Sequence, residues 1–256
     1  MDATSAGMVS DRESGGTHTS RTIQLDELRG LLAAVPPDAS PEDYRDAIVE
    51  QNVLGKKTLN SRQRTHRYLR ELYALDPEVL LFRALRDLWD AEPEAQPLLA
   101  MLCSLARDPS LRATSAAVLP LAEGDGVTSL DLQLALQARY PGAYSDSVAN
   151  KVGRNAASSW TQSSHLAGRT DKKRARAVCR PPALAYALLF GHLEGAAGEG
   201  LFESFWTRAL DAPIGVLHDQ AFAASQRGWI EFRHGGGVTD VGFSLLLREP
   251  IGGSIR

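Results

Sequence analysis

The sequence predicts a mainly α protein in which a helical bundle leads into a central helix-turn-helix, with or without a wing, and a β-hairpin closes the C-terminus. Three observations carry that expectation. Apolar residues recur at helical spacing through most of the chain. Proline-containing pairs punctuate the periodic segments at Pro36-Pro37, Ser40-Pro41, Asp76-Pro77, Asp108-Pro109 and Pro181-Pro182. Only past Gly228 does a β-rich, alternating pattern take over.

At 256 residues the chain is long enough for one large domain or two modest ones. With 43% apolar and 23% charged residues it has the composition of an ordinary soluble protein. The longest apolar run, Ala183 to Phe190, is far short of the roughly 20 residues that span a bilayer. No basic start followed by an apolar block is visible, so no secretory signal, no membrane and a cytoplasmic location are expected. Cys103 and Cys179 have no CxxC or Cys/His spacing, which predicts two free thiols and no metal.

Met1 to Arg21 is rich in Ser, Thr, Gly and Asp, offers almost nothing to bury, and is expected to be disordered. Residues 22–122 read as a helical bundle. An amphipathic helix from Ile23 to Val35 ends at the proline pair, and Ser40-Pro41 starts a second that reaches about Gln51. After the basic connection Leu54 to Leu59, Asn60 or Ser61 caps a third, which ends near Leu75 and buries Thr65, Tyr68, Leu69, Leu72 and Leu75. Further helices are expected from Glu78 to Ala91, from Pro93 to Arg107, and from Asp108-Pro109 to Leu119.

Residues 123–193 read as the helix-turn-helix unit. Thr128 or Ser129 caps a helix with Leu130, Leu134 and Leu136 near one face, and Pro141-Gly142 stops it. Ser145 or Asp146 caps a second helix that runs to about Leu166, with Gly168 placed to end it. Projected at about 100° per residue, Val148, Ala149, Val152, Ala156, Trp160 and Leu166 fall on the buried side. The opposite arc gathers Asn150, Lys151, Arg154, Asn155, Ser158, Thr161, Gln162 and His165, without an acid among them. That is the make-up of a recognition helix: Arg and Lys offer paired donors to guanine, Asn and Gln pair with adenine, and short hydroxyl residues let the helix enter the major groove.

A basic loop follows, with Arg169, Lys172, Lys173, Arg174, Arg176 and Arg180 against Asp171 alone. Residues 151–180 thus hold eight cations and one carboxylate, a net +7 in a chain of net charge −3, which leaves −10 for the remainder. Charge sorted this way is expected of a phosphate-binding face. A second basic patch lies on the third helix and the connection before it. Lys56, Lys57, Arg62, Arg64, Arg67 and Arg70 are uninterrupted by any acid.

In the last unit, residues 194–256, Glu194 to Gly200 is a flexible break, and helices are expected at Leu201 to Leu210 and Pro213 to Arg227. Trp229 to Arg233 and Val238 to Leu247 flank Gly235-Gly236-Gly237 as a hairpin. Ile230, Phe232, Val241 and Phe243 need an apolar surface beneath them, which favours a lid over the helical core rather than a wing that touches DNA through Arg233 and His234.

Catalytic signatures are missing. There is no GxSxG elbow to use the letters His234-Gly235-Gly236-Gly237, no GxxxxGK[ST], and no GxGxxG after a strand. The six histidines, at 18, 66, 165, 192, 218 and 234, show no spacing typical of a metal site. No catalytic residue and no cofactor is expected.

The run EQNVLGKKTLNSRQRTHRYLRELYAL from Glu50 to Leu75, followed by PLLAMLCSLARDPSLRATSAAVL from Pro97 to Leu119, resembles the BrxA family of small helical proteins encoded in bacterial BREX anti-phage systems. The resemblance extends loosely from residue 43 to about 247. It implies a cytoplasmic, non-enzymatic, double-stranded DNA-binding component that works beside a methyltransferase and other defence proteins. The expected partners are therefore double-stranded DNA, other phage-defence proteins and a second copy of the chain. A stand-alone transcriptional regulator, or a scaffold that binds RNA or acidic proteins, are the alternatives.

Overall fold

A computed structural model describes residues 16–249. It is mainly helical, with α1 at Leu25–Ala34, α2 at Pro41–Val49, α3 at Leu59–Tyr73, α4 at Leu80–Trp89, α5 at Gln96–Arg107 and α6 at Pro109–Ala113. Side-chain caps explain several of these starts. Ser40 and Asp43 form a reciprocal capping box at α2, and Thr58 with Ser61 does the same at α3, two residues ahead of the expected cap. Asp108 accepts hydrogen bonds from the backbone N–H groups of Ser110 and Leu111 at the start of α6. That helix is shorter than its sequence suggests and passes into a 3₁₀ turn at Thr114–Ala117.

The central unit follows the order of a winged helix-turn-helix. Strand β1 (Gly126–Val127) leads into α7 (Ser129–Arg139) and α8 (Asp146–Gln162). Strands β2 (Leu166–Ala167) and β3 (Lys172–Arg174) then form a hairpin, and β3 lies between β1 and β2 in an antiparallel sheet. The first half of the stretch expected to be a basic loop is therefore this wing, and Arg169 sits in its turn. Helix α8 ends four residues before Leu166, where Ser164 takes a left-handed φ of 68° and the chain turns into β2. Thr128 caps α7 through a box with Asp131. The face of α7 differs from expectation: Leu132 and Leu136 are buried, while Leu130 and Leu134 are each 54% exposed. Leu132 and Leu136 stand one turn apart and face α8 and the bundle, which turns Leu130 and Leu134 away from them.

Two short elements follow the nearly all-buried α9 (Pro181–Leu193): a 3₁₀ turn at Gly198–Leu201 that overlaps the end of the expected flexible break, and α10 at Phe205–Arg208. Then come α11 (Ile214–Gln226) and the hairpin β4 (Glu231–Gly235) and β5 (Val238–Gly242). Gly236 and Gly237 turn the hairpin with φ of 58° and 77°, the signature of a primed two-residue turn. Phe232 and Phe243 are buried, and Phe232 packs on Phe202 and Phe222, so this hairpin is a lid on the helical core.

One apolar core runs from Ile23 to Leu246 and takes in Leu132, Ala156, Trp160, Leu166 and the whole inner length of α9. It crosses both boundaries expected near residues 122 and 193. A small satellite of Leu136, Ala149 and Val152 fills the tip of the helix-turn-helix. Within the expected N-terminal tail, Gly16 to Arg21 is packed against α8, and residues 1–15 lie outside the described part. No helix among the described residues is long and apolar enough to cross a membrane.

Candidate nucleic-acid interface

The two basic stretches, distant in sequence, meet in space. One depression of about 360 Å³ is lined by Thr19, Ser20, Arg21, Arg64, Lys151, Arg154 and Asn155. A second, of about 480 Å³, runs from Arg154 and Ser158 across the start of α7 to Arg169 and Lys172 on the wing. Arg154 belongs to both walls, so they form one groove along α8. Six cations line it, Arg21, Arg64, Lys151, Arg154, Arg169 and Lys172, and none of them forms an ion pair with an acid among the described residues. Asp171 is the one acid in the lining. Tyr68 lies under this cluster, with the Arg21 and Arg67 guanidinium groups 5.4 and 4.7 Å from its ring. Burial pushes the Tyr68 hydroxyl up, yet hydrogen bonds from Arg64, Ser20 and Arg67 outweigh it and leave the group below its ordinary value.

The remaining expected contacts separate into free and committed groups. Lys173 is exposed, and Ser158 is half-buried in the groove wall. Lys172 donates through Nζ to the Thr161 hydroxyl at 2.8 Å, and desolvation lowers its pKa. Asn155 spends Nδ2 on the His18 carbonyl at 2.8 Å, so this recognition-arc amide holds the N-terminal segment from the groove wall. Arg180 lies outside the groove, beside Ser163, Ser164 and Val178.

Arg174 is a correction. Its side chain is buried, paired with Asp211, and donates to the carbonyls of Val118, His165 and Ala175. It cannot touch a phosphate. Arg176 is half exposed and shares Asp211 at 2.5 Å. His165 also leaves the polar arc: it is buried between Ser163 and the Ala209 carbonyl, and burial pushes its pKa down to about 4.

In the second patch, Arg64 alone reaches the groove wall. Lys56 pairs with Glu27 at 2.9 Å, Arg62 donates to the Val49 carbonyl, and Arg67 lies over Tyr68 with Glu71 at 3.8 Å. Lys57, in the connection before α3, and Arg70, on α3, are exposed without lining it.

The N-terminal segment owes its place to a network that no sequence spacing announces. His18 holds Asp108 through Nδ1 at 2.8 Å and Ser159 Oγ through Nε2 at 2.7 Å, and all three are buried. Ser159 also accepts from the Ile23 N–H and donates to the Asn155 carbonyl. The order of groups is that of a Ser-His-Asp nucleophile, but Ser159 is 0% exposed and its hydroxyl is fully engaged. Its effect is structural: it pins residues 17–23 across α8 and thereby delivers Arg21 to the groove.

Cys103 and Cys179 are free and buried, each pushed up to about 12 by desolvation. Three metal-ligating side chains that the sequence did not connect, Glu199, His218 and His234, come together away from the groove. No protein-family model matches the chain. No curated protein matches its sequence either.

Proposed function

We propose that this chain is a non-enzymatic double-stranded DNA-binding protein that seats the duplex along α8, between the wing and the α3 flank. The observation that carries this reading is the convergence of Arg21, Arg64, Lys151, Arg154 and Arg169, from four separate segments, on one groove without carboxylate partners among the described residues. A groove of unneutralised cations favours a polyanion, because each phosphate contact releases condensed counterions. The exposed residues of α8, Asp146, Ser147, Asn150, Lys151 and Arg154, all lie in its N-terminal half, the part of a recognition helix that meets base edges. Arg169 at the wing and the capped start of α7 flank them, which suits contacts to the backbone on either side.

The sequence resemblance to the BrxA family supports a role for such a protein in a bacterial phage-defence system, beside other defence proteins, in the cytoplasm. The same groove also suits a stand-alone transcriptional regulator. A gel-shift titration tests the core of the reading. If about five cations meet phosphates, log K falls with log salt at a slope of about −4 to −5. No binding at low salt overturns it, and binding to single-stranded RNA alone replaces DNA with RNA as the ligand.

A further inference from the structure

The side chains of Glu199, His218 and His234 come from three elements that the fold stacks together: the 3₁₀ turn after α9, the first half of α11, and β4 of the lid. One nitrogen of each ring and a Glu199 oxygen lie within 4.8 Å of one another. His218 Nε2 is 3.2 Å from Glu199 Oε1, and the two imidazole rings stand 4.4 Å apart.

Two features separate this trio from an ordinary ion pair. Although it lies 3.2 Å from Glu199 Oε1, His218 Nε2 is buried without a well-aligned hydrogen bond. A buried imidazole nitrogen left this way is costly, and with the ring proton on Nδ1 the Nε2 lone pair is free for a metal ion. The other feature is outer support. The Thr239 hydroxyl donates to Glu199 Oε2 at 2.5 Å and accepts from His234 Nδ1 at 2.8 Å, so one side chain orients two members of the trio. Hydrogen bonds of this kind are how proteins aim imidazoles and carboxylates at a metal. His218 is further fixed edge-on by Phe202, with ring centroids 4.6 Å apart.

The geometry points to a divalent transition-metal site of the zinc class, held by Glu199, His218 and His234. Two imidazoles and one carboxylate suit Zn²⁺ far better than Mg²⁺ or Ca²⁺, which take oxygen ligands. With bonds of about 2.0 to 2.2 Å in a tetrahedron, donor atoms lie about 3.3 to 3.5 Å apart, which the 3.2 Å between His218 and Glu199 already meets. His234 completes the set by a small closing movement of the hairpin. Three protein ligands leave the fourth position to water on the exposed side of Glu199 and His234. Such an ion ties the lid hairpin to α11, independently of the groove.

The test uses the tag-free full chain, stripped with a chelator and titrated with Zn²⁺ by calorimetry and with Co²⁺ by visible absorption. The expected result is one ion per chain, a tetrahedral Co²⁺ spectrum without thiolate charge transfer, and a rise in unfolding temperature on zinc addition. Glu199→Gln and His234→Gln alter exposed side chains, so the folded apo chain keeps its circular dichroism, and each should weaken zinc at least about tenfold. Absence of binding at about 100 μM zinc overturns the site, as do a thiolate signature or folded variants that bind like the parent.

Discussion

Arg174 Nη2 meets Asp211 Oδ1 at 2.6 Å with both side chains buried, in the middle of the most basic stretch of the chain. Strand β3 alternates, so Lys173 turns outward while Arg174 turns into the core. There it also donates to the carbonyls of Val118 and His165, which joins the wing to the bundle. Removing Arg174 leaves buried Asp211 with Arg176 as its one remaining cation and strips buried carbonyls of their donor. Arg174→Ala should therefore cost about 3 to 5 kcal/mol, whereas Lys173→Ala should stay within about 0.5 kcal/mol. Urea denaturation of both variants decides this, and equal midpoints would sink the distinction.

Acid should unfold the protein in two stages. His165 is buried and neutral, with a pKa lowered to about 4 by burial, while in the unfolded chain it takes up a proton near pH 6.5. A lowered histidine pKa means that stability is lost as pH falls from about 6.5 to about 4, at most by about 3 kcal/mol. Asp108 and Asp211 act further down. Burial alone would raise both carboxyls, but His18 and Ser110 at the first, and Arg174 and Arg176 at the second, hold them below the usual value. Their contribution is complete above the ordinary carboxylate pKa and is lost as pH falls through the folded values. Urea midpoints measured from pH 7 to 3 should show both losses, and His165→Gln should flatten the upper one. A midpoint constant between pH 6.5 and 4 would show that His165 is not held neutral.

Helix positions were legible because their signals are local. Ser40-Pro41, Asp108-Pro109 and Thr128 cap through neighbours three residues away or fewer, and α9 is apolar on every side. What stayed hidden depends on partners far along the chain. Arg174 reads as one more surface cation until Asp211, 37 residues later, is seen against it. His18 meets Ser159 across 141 positions, so a Ser/Thr/Gly-rich segment with little to bury is nonetheless anchored. The α7 face was misread because Leu130, Leu132, Leu134 and Leu136 alternate, and such a pattern does not say which pair faces α8. Arg64 and Arg154 share a groove only because α3 and α8 both pack on the same N-terminal turn at Thr17–Thr19.

The groove makes unequal demands on its cations. Arg154→Ala should cost on the order of 1 to 3 kcal/mol on a preferred DNA site and less on random sequence, since only the preferred site offers a matching acceptor edge. Arg64→Ala, on the flank, should weaken all sequences alike and reduce the salt slope by about 1. Arg180→Ala, outside the groove, should leave both unchanged. Competition gel shifts at two salt concentrations separate these results. If Arg180 mattered as much as Arg64, the duplex would have to lie across another face.

The spacing of α7 and α8 rests on one glycine. A Cβ built on Gly153 would stand 2.3 Å from the Ser129 carbonyl oxygen and 3.2 Å from the Gln133 backbone nitrogen. These are backbone atoms of α7, so no rotamer change relieves the clash. In a solvent-facing helix, Gly→Ala gains about 1 kcal/mol of helix propensity. Here that gain opposes an overpacking cost of about 1 to 3 kcal/mol or more, because the α7 backbone must move as a unit. Gly153→Ala should therefore lower the urea midpoint despite the better helix former. It should also weaken DNA binding at temperatures where the chain is still folded, since the residues that open α7, Thr128 and Ser129, line the groove. A Gly153→Ala protein as stable as the parent, with unchanged affinity, would mean that α7 does not lie this close to α8 and that the groove wall is built differently.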